Sequence, residues 1–410
     1  MSVRHEIPGL IVTEREHSVP LDHADPDGPR LSVFSRELAD REGPERPLLL
    51  FFEGGPGFEA PRPSRSMPSP PWLERALADF RVLMLDQRGT GRSSPISAAL
   101  AGTPSEQADY LAHFRADSIV ADAECIRREL GVERWSVLGQ SFGGFCAMRY
   151  LSAAPEGLQE VMFTGGVPPL EAAPDDVYRA TFARMRERNE RFYERYPEDR
   201  ERMLGLLERA EREPLRLPTG EPLHAQRIRQ LGALIGMSDG HERLHYILEL
   251  DPDSQAFLHD VEQATTFARN PIYAILHEAC WANGVATAWS AQRMLDAQPD
   301  WPREYLTGEH IFPWMFQGTS LEPLREAAEL LAQRQWPLLY DREALERNDI
   351  PAAAVVYAED PYVERAFSEQ TALLVPKLRI WLTNEYDHDG LRNDGERILG
   401  RLLDLVRGRV

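Results

Sequence analysis

The stretch Trp135-Ser-Val-Leu-Gly-Gln-Ser141-Phe-Gly-Gly-Phe145 constrains the fold more than any other part of the chain. An apolar run containing Trp135, Val137 and Leu138 leads into Gly139-Gln-Ser141-Phe-Gly143, and Phe145-Cys-Ala-Met-Arg-Tyr150 follows with helix-forming residues. A buried strand, a sharp turn and a helix in that order tolerate only small residues beside the turn serine. Its hydroxyl is left exposed at the end of the sheet, which makes Ser141 a candidate nucleophile. The alternative is a chance match to Gly-x-Ser-x-Gly. That alternative leaves the strand pattern before the turn and the helix pattern after it unexplained.

Strand and helix patterns alternate on either side of this turn. Residues 9–21 and 30–39 read as strands, and 72–80 as a helix. Pro47-Leu-Leu-Leu-Phe-Phe52 and Arg81-Val-Leu-Met-Leu85 are unbroken apolar runs, as expected of strands buried on both faces. A helix over about 115–130 leads to the strand before Ser141, and Leu158-Gln-Glu-Val-Met-Phe163 is the next strand. Such alternation implies right-handed crossovers and a parallel sheet. From about 168 to 340 no strand is evident. Residues 174–213 are densely charged, with Tyr178, Phe182, Met185, Phe192 and Tyr193 at helical steps. The charges between them read as a solvated face with i,i+4 pairs. Further helices are expected over 222–238, 254–268, 271–281 and 321–333. Strand character returns at 351–357 and 378–382, and a closing helix spans about 391–407. The expected class is therefore α/β. A mostly parallel sheet built from residues 1–167 and 341–410 is interrupted by an all-helical cap over 168–340.

A net charge of −20 argues against nucleic acid or an anionic membrane as partner. No window approaches the roughly 18 apolar residues of a membrane helix. The segment from Met1 to Pro8 has no apolar character of the signal type, so a soluble cytoplasmic protein is expected. Three cysteines, Cys125, Cys146 and Cys280, are too few and too scattered for a disulfide framework or a zinc site. Gly89-Thr-Gly-Arg-Ser93 lacks the lysine of a phosphate-binding loop and reads as a structural loop. No metal and no cofactor is expected.

In a parallel sheet the reactive groups gather beyond the carboxyl ends of the strands. Gly54-Gly-Pro-Gly57 follows the 47–52 strand. The N–H of Gly55, with that of Phe142 after the serine, is a candidate oxyanion hole. The alternative is a turn that needs glycine only for its backbone angles. Asp360 follows the 351–357 strand as a candidate carboxylate to orient a histidine, with Glu359 as its rival. His388 follows the 378–382 strand, flanked by Asp387 and Asp389, which either raise its pKa or are ordinary loop acids. Serine, acid and histidine in this order are the chain order of α/β-hydrolases.

Over most of its length the chain resembles the proline iminopeptidase (prolyl aminopeptidase) family within that fold. Gly54-Gly-Pro-Gly57, Asp86-Gln-Arg-Gly-Thr-Gly-Arg-Ser93 and Gly139-Gln-Ser-Phe-Gly-Gly144 match the family's motifs in order and spacing, and the helix from Arg115 to Arg127 is similar as well. Asn270–Glu278 and Gly308–Phe316 look like cap segments of its larger members. Two positions depart from the family pattern. Glu53 stands where histidine is frequent, and no glycine directly precedes Asp360. The resemblance implies release of an N-terminal residue, preferably proline, from a peptide with a free amino terminus. Ser141 would be the nucleophile, His388 the base and Asp360 its orienting acid. By their match to the cap segments, Glu278 and Glu309 are candidates to bind the substrate amine. An esterase or other small-molecule hydrolase is the alternative on this scaffold, and a non-catalytic binding protein is a further one.

Overall fold

The computed structural model describes residues 2–66, 69–213 and 215–410. Eleven strands are formed among the described residues: β1 (Ser2–Ile7), β2 (Leu10–Pro20), β3 (Arg30–Ala39), β4 (Leu48–Phe52), β5 (Arg81–Leu85), β6 (Trp135–Gln140), β7 (Leu158–Thr164), β8 (Leu215–Arg216), β9 (Pro222–Leu223), β10 (Ala352–Tyr357) and β11 (Leu378–Thr383). Nine of them make one sheet in the order β1-β2-β3-β5-β4-β6-β7-β10-β11. The pairs from β5 to β11 are parallel, and β1, β2 and β3 add an antiparallel edge.

The apolar runs divide their side chains between the two faces with period two. In β4, Leu48, Leu50 and Phe52 enter one core, while Leu49 and Phe51 enter the other. In β10, Ala352, Ala354 and Val356 oppose Ala353, Val355 and Tyr357 in the same way. Helices Ala116–Glu129 and Phe142–Ala153 cover the first face. Helices Leu73–Asp79 and Gly395–Val406 cover the second. Strand β1 was not apparent from the sequence because it lies exposed at the sheet edge and carries no apolar alternation.

Between β7 and β10 none of the described residues joins the main sheet, but the insertion is not the all-helical, strand-free segment expected. Strands β8 and β9 form a small antiparallel ribbon closed by a turn in which the Gly220 N–H donates to the Leu217 carbonyl. Gly220 has φ +87°, which glycine adopts without steric penalty. The charged segment 174–213 is two helices, Pro174–Arg195 and Pro197–Arg212, because Pro197 cannot continue the first. The helix expected over 222–238 shrinks to Ala225–Arg229 and a 3-10 turn, and a separate helix forms over Gly240–Leu248. At Gly236 the backbone runs so close to Tyr362 that a Cβ would sit 2.2 Å from its ring.

Residues from Met185 to Leu306 form a core of their own, with no member from the sheet. Tyr178, Phe182, Ile272, Leu276 and Phe316, by contrast, belong to the core over the first sheet face. Strands of the main sheet stop at Thr164 and resume at Ala352, while the packing continues across the expected boundaries at 168 and 340.

Candidate active site

β6 ends at Gln140, and the chain reverses at Ser141 with φ 53° and ψ −120°, a region that non-glycine residues rarely adopt. Contacts on both sides hold this conformation. The Ser141 N–H donates to the Thr164 carbonyl at 2.9 Å. A Cβ on Gly143 would lie 2.1 Å from the Phe52 carbonyl oxygen, so only glycine lets helix Phe142–Ala153 start this close to β4.

The ends of β10 and β11 bring two further groups to the serine. The His388 Nε2 is 2.9 Å from Ser141 Oγ, and its Nδ1 is 2.7 Å from Asp360 Oδ2. Asp360 Oδ1 accepts the N–H groups of Tyr362 and Val363 at 2.9 and 3.1 Å. Asp360 and His388 are buried. Burial opposes charge on His388, but the Asp360 carboxylate, helped by Glu309, outweighs it and raises the imidazole pKa above its ordinary value. The rival carboxylate, Glu359, turns away and pairs with Arg191. The flanking acids have other partners: Asp387 pairs with Arg188, and Asp389 Oδ1 accepts the Ser238 N–H and hydroxyl at 3.0 and 2.7 Å.

The loop after β4 lies against the nucleophile, since a Cβ on Gly54 would come within 3.2 Å of Ser141 Cβ. The Gly54 N–H is occupied by its neighbour's Glu53 Oε1 at 2.9 Å. Gly55, at φ +123°, lines the same cavity as Ser141. Phe142 opens its helix, so its N–H belongs to the first turn, where amides have no partner within the helix.

The cavity above Ser141 has a volume of about 520 Å³. Its floor includes Gly54, Gly55, Ser141, His388 and Arg392, and the residues between β7 and β10 supply the roof. Phe58 and Phe267 both pack on Tyr273, with ring centroids 5.5 Å away in each case, the Phe267 ring stacked at 12°. Glu309 lines the roof with its side chain 20% exposed and His277 Nε2 3.9 Å from it. Burial alone would push the Glu309 pKa up. His277, His388 and the Tyr273 hydroxyl together bring it below the ordinary carboxylate value, so Glu309 is ionised at neutral pH. The neighbouring His310 is driven down to about 3 by burial and is neutral.

Glu278 does not reach this cavity. Its carboxylate is buried and accepts the N–H groups of Ala291 and Ser290 at 2.8 and 3.2 Å, at the start of helix Ser290–Asp296. The match to a cap motif is therefore explained at Glu278 by a helix terminus that needs acceptors. His277, Tyr273 and Arg392 were not singled out from the sequence. The two cap residues lie in Asn270–Glu278, within the segment that carried the resemblance.

The arginines of helix Pro174–Arg195 also differ from expectation. Arg184, Arg188 and Arg191 stand at helical spacing and reach the loops at the sheet's strand ends, Arg188 buried, Arg184 half-buried and Arg191 still exposed. Arg184 grips Glu364 at 2.7 Å, Arg188 pairs with Asp387 and donates to the Glu359 carbonyl at 2.9 Å, and Arg191 holds the Glu359 carboxylate. The loops carrying Asp360 and His388 are thereby tied to the insertion. Gly89-Thr-Gly-Arg92 lines a second cavity of about 210 Å³. Among the described residues, no cluster of three or more His, Cys, Asp or Glu side chains is placed to hold a metal ion, and no helix is long and apolar enough to cross a membrane.

Residues 47–266 match the family described as the alpha/beta hydrolase fold. A proline iminopeptidase of Aeromonas sobria is 47% identical over 410 aligned residues, covering 95% of this chain and 95% of that protein. A proline iminopeptidase of Aspergillus aculeatus is 34% identical over 434 aligned residues, covering 99% of this chain and 96% of that protein. Likeness of this extent spans the sheet, the strand-end loops and the insertion alike, and on that basis the chain belongs to the proline iminopeptidase family of α/β hydrolases.

Proposed function

We propose that this protein is a serine aminopeptidase that releases an N-terminal residue, preferably proline, from peptides through an acyl-enzyme. The observation that carries the reading is the Glu309 carboxylate in the roof of the same cavity whose floor holds Ser141 and His388, with Asp360 hydrogen-bonded behind the histidine. An ammonium brought out of water needs an opposite charge, and Glu309 supplies it at the end of the cavity where a substrate's amino terminus would lie. Residues 1–167 and 341–410 then carry the chemistry, and the cap over 168–340 selects the substrate.

In this mechanism Ser141 Oγ attacks the carbonyl carbon of the first residue while His388 Nε2 takes the hydroxyl proton. Asp360 fixes the imidazole tautomer and stabilises the imidazolium. The N–H groups of Gly55 and Phe142 receive the oxyanion. As the C–N bond breaks, His388 gives its proton to the leaving amine. Water then adds to the ester with His388 again as base, which frees the amino acid and restores the Ser141 hydroxyl. The aromatic wall of Phe58, Phe267 and Tyr273 suits a pyrrolidine ring, which is apolar and rigid. A cytoplasmic location agrees with the three unpaired cysteines, which stay reduced there.

The test is hydrolysis of proline p-nitroanilide by the purified protein and by Ser141→Ala. Turnover is expected to fall by at least about 10⁴-fold in the variant. Wild-type turnover in the variant would refute Ser141 as nucleophile. A preference for N-blocked esters over free-amine amides would favour the esterase reading instead.

A further inference from the structure

We infer that Arg392 binds the free carboxylate of short peptides on the leaving-group side of the bond that is cut, which makes dipeptides favoured substrates. This inference rests on the aminopeptidase reading above. Arg392 belongs to the short helix Gly390–Asn393, just after His388, and lines the cavity that contains Ser141. Its Nη2 lies 3.3 Å from Gln140 Oε1 and 3.3 Å from Glu53 Oε1. Gln140 is the residue immediately before the nucleophile, so the guanidinium is moored beside the reacting centre. Glu53, one of the two departures from the family pattern, is part of that mooring.

The mooring engages only one nitrogen. Nε and Nη1 make no hydrogen bond with any described residue, and the side chain is 53% exposed. A guanidinium has five N–H donors in a planar fork that matches a carboxylate, so several donors remain after Glu53 and Gln140 are served. Glu53 offsets part of the charge, but it also fixes the pose and so lowers the entropy lost on binding. The cavity thus presents a carboxylate, Glu309, from the cap and a guanidinium, Arg392, from the sheet side. That polarity complements a small zwitterion with an ammonium at one end and a carboxylate at the other. In a dipeptide the terminal carboxylate carbon is three bonds from the carbon under attack, and each added residue carries it up to about 3.5 Å farther away. The protein as a whole carries −20 and repels anions, so a local cation is needed to accept one.

The experiment compares kcat/KM for Pro-Gly with that for Pro-Gly amide, in the wild type, Arg392→Gln and Arg392→Lys. The wild type is expected to favour the free dipeptide. In Arg392→Gln the ratio of the two values should fall about tenfold, equivalent to about 1.4 kcal/mol. Arg392→Lys should retain part of the preference, because it keeps the charge and loses the fork. A poorly folded variant lowers both values and leaves their ratio intact, so the ratio reports recognition alone. An unchanged ratio in Arg392→Gln overturns the inference. A wild type that releases proline from neither substrate, nor from the anilide, overturns the aminopeptidase reading instead.

Discussion

The floor and the roof of the cavity both hold a carboxylate away from bulk water, and they satisfy it differently. On the floor, Asp360 is closed: one oxygen takes two backbone N–H groups and the other takes His388 at 2.7 Å. In the roof, Glu309 is open: its contact to His277 Nε2 is 3.9 Å long, and a fifth of its side chain is exposed. A carboxylate saturated by the protein orients a neighbour. One held loosely keeps its capacity for a cation that arrives with the substrate. The floor belongs to a sheet whose strand ends fix positions closely. The roof belongs to an insertion that meets those ends through side-chain pairs such as Arg188–Asp387 and Arg184–Glu364.

The largest break in this comparison comes from Asp360→Asn. The amide keeps the size of the side chain but removes the charge and presents a donor or an acceptor according to its rotation, so His388 loses its imposed tautomer. A fall in kcat of about 10⁴-fold is expected with proline p-nitroanilide. The acid limb of the pH profile should also move to lower pH. His388 must be neutral to accept the serine proton, and Asp360 is the chief partner raising its pKa. Removing that charge favours the neutral form. A variant with near-normal kcat would mean that the histidine is oriented by something else.

This asymmetry explains how much was legible in the sequence. Ser141, Asp360 and His388 each follow a strand, and a strand end is a position that pattern alone can locate, so the sequence could name them as candidates together with the sheet that brings them within hydrogen-bond distance. Within that pattern, Glu359 and Asp360 were indistinguishable. The choice depends on which side chain can turn under His388 and which meets Arg191, a contact 168 residues away in the chain. Roof residues have no such address. Glu278 and Glu309 looked alike as acids in cap segments, and only tertiary packing sends one to a helix start and the other to the cavity. The Arg184, Arg188 and Arg191 face is a similar case. Charges at helical spacing signal a solvated surface unless something charged packs against them, and Glu359, Glu364 and Asp387 come from distant segments.

Glu309→Gln sharpens the contrast from the other side. Removing the open charge should lower kcat/KM for proline p-nitroanilide by about 10- to 100-fold, the usual worth of a charge-assisted hydrogen bond. An N-acylated ester, which brings no ammonium, should lose much less. With that ester the acid limb should again shift to lower pH, by less than in Asp360→Asn, because Glu309 is the lesser of the two carboxylates raising the His388 pKa. Equal losses for both substrates would show that Glu309 supports the fold of the roof rather than the amine.

The smallest effect belongs to Glu278→Gln, the partner that sequence resemblance placed beside Glu309. Glu278 already receives two backbone N–H groups at the start of helix Ser290–Asp296, and burial pushes its pKa up. A glutamine there turns one acceptor into a donor facing an N–H, which costs about 1–3 kcal/mol of stability by the usual penalty for an unmet buried group. Urea unfolding should register that loss. The preference for free-amine over N-blocked substrates should stay at its wild-type value, because no atom of Glu278 lines the cavity. If that preference falls instead while stability holds, the assignment of the amine to Glu309 alone is wrong. The roof would then act through a pair of carboxylates, one open and one reaching it through helix Ser290–Asp296.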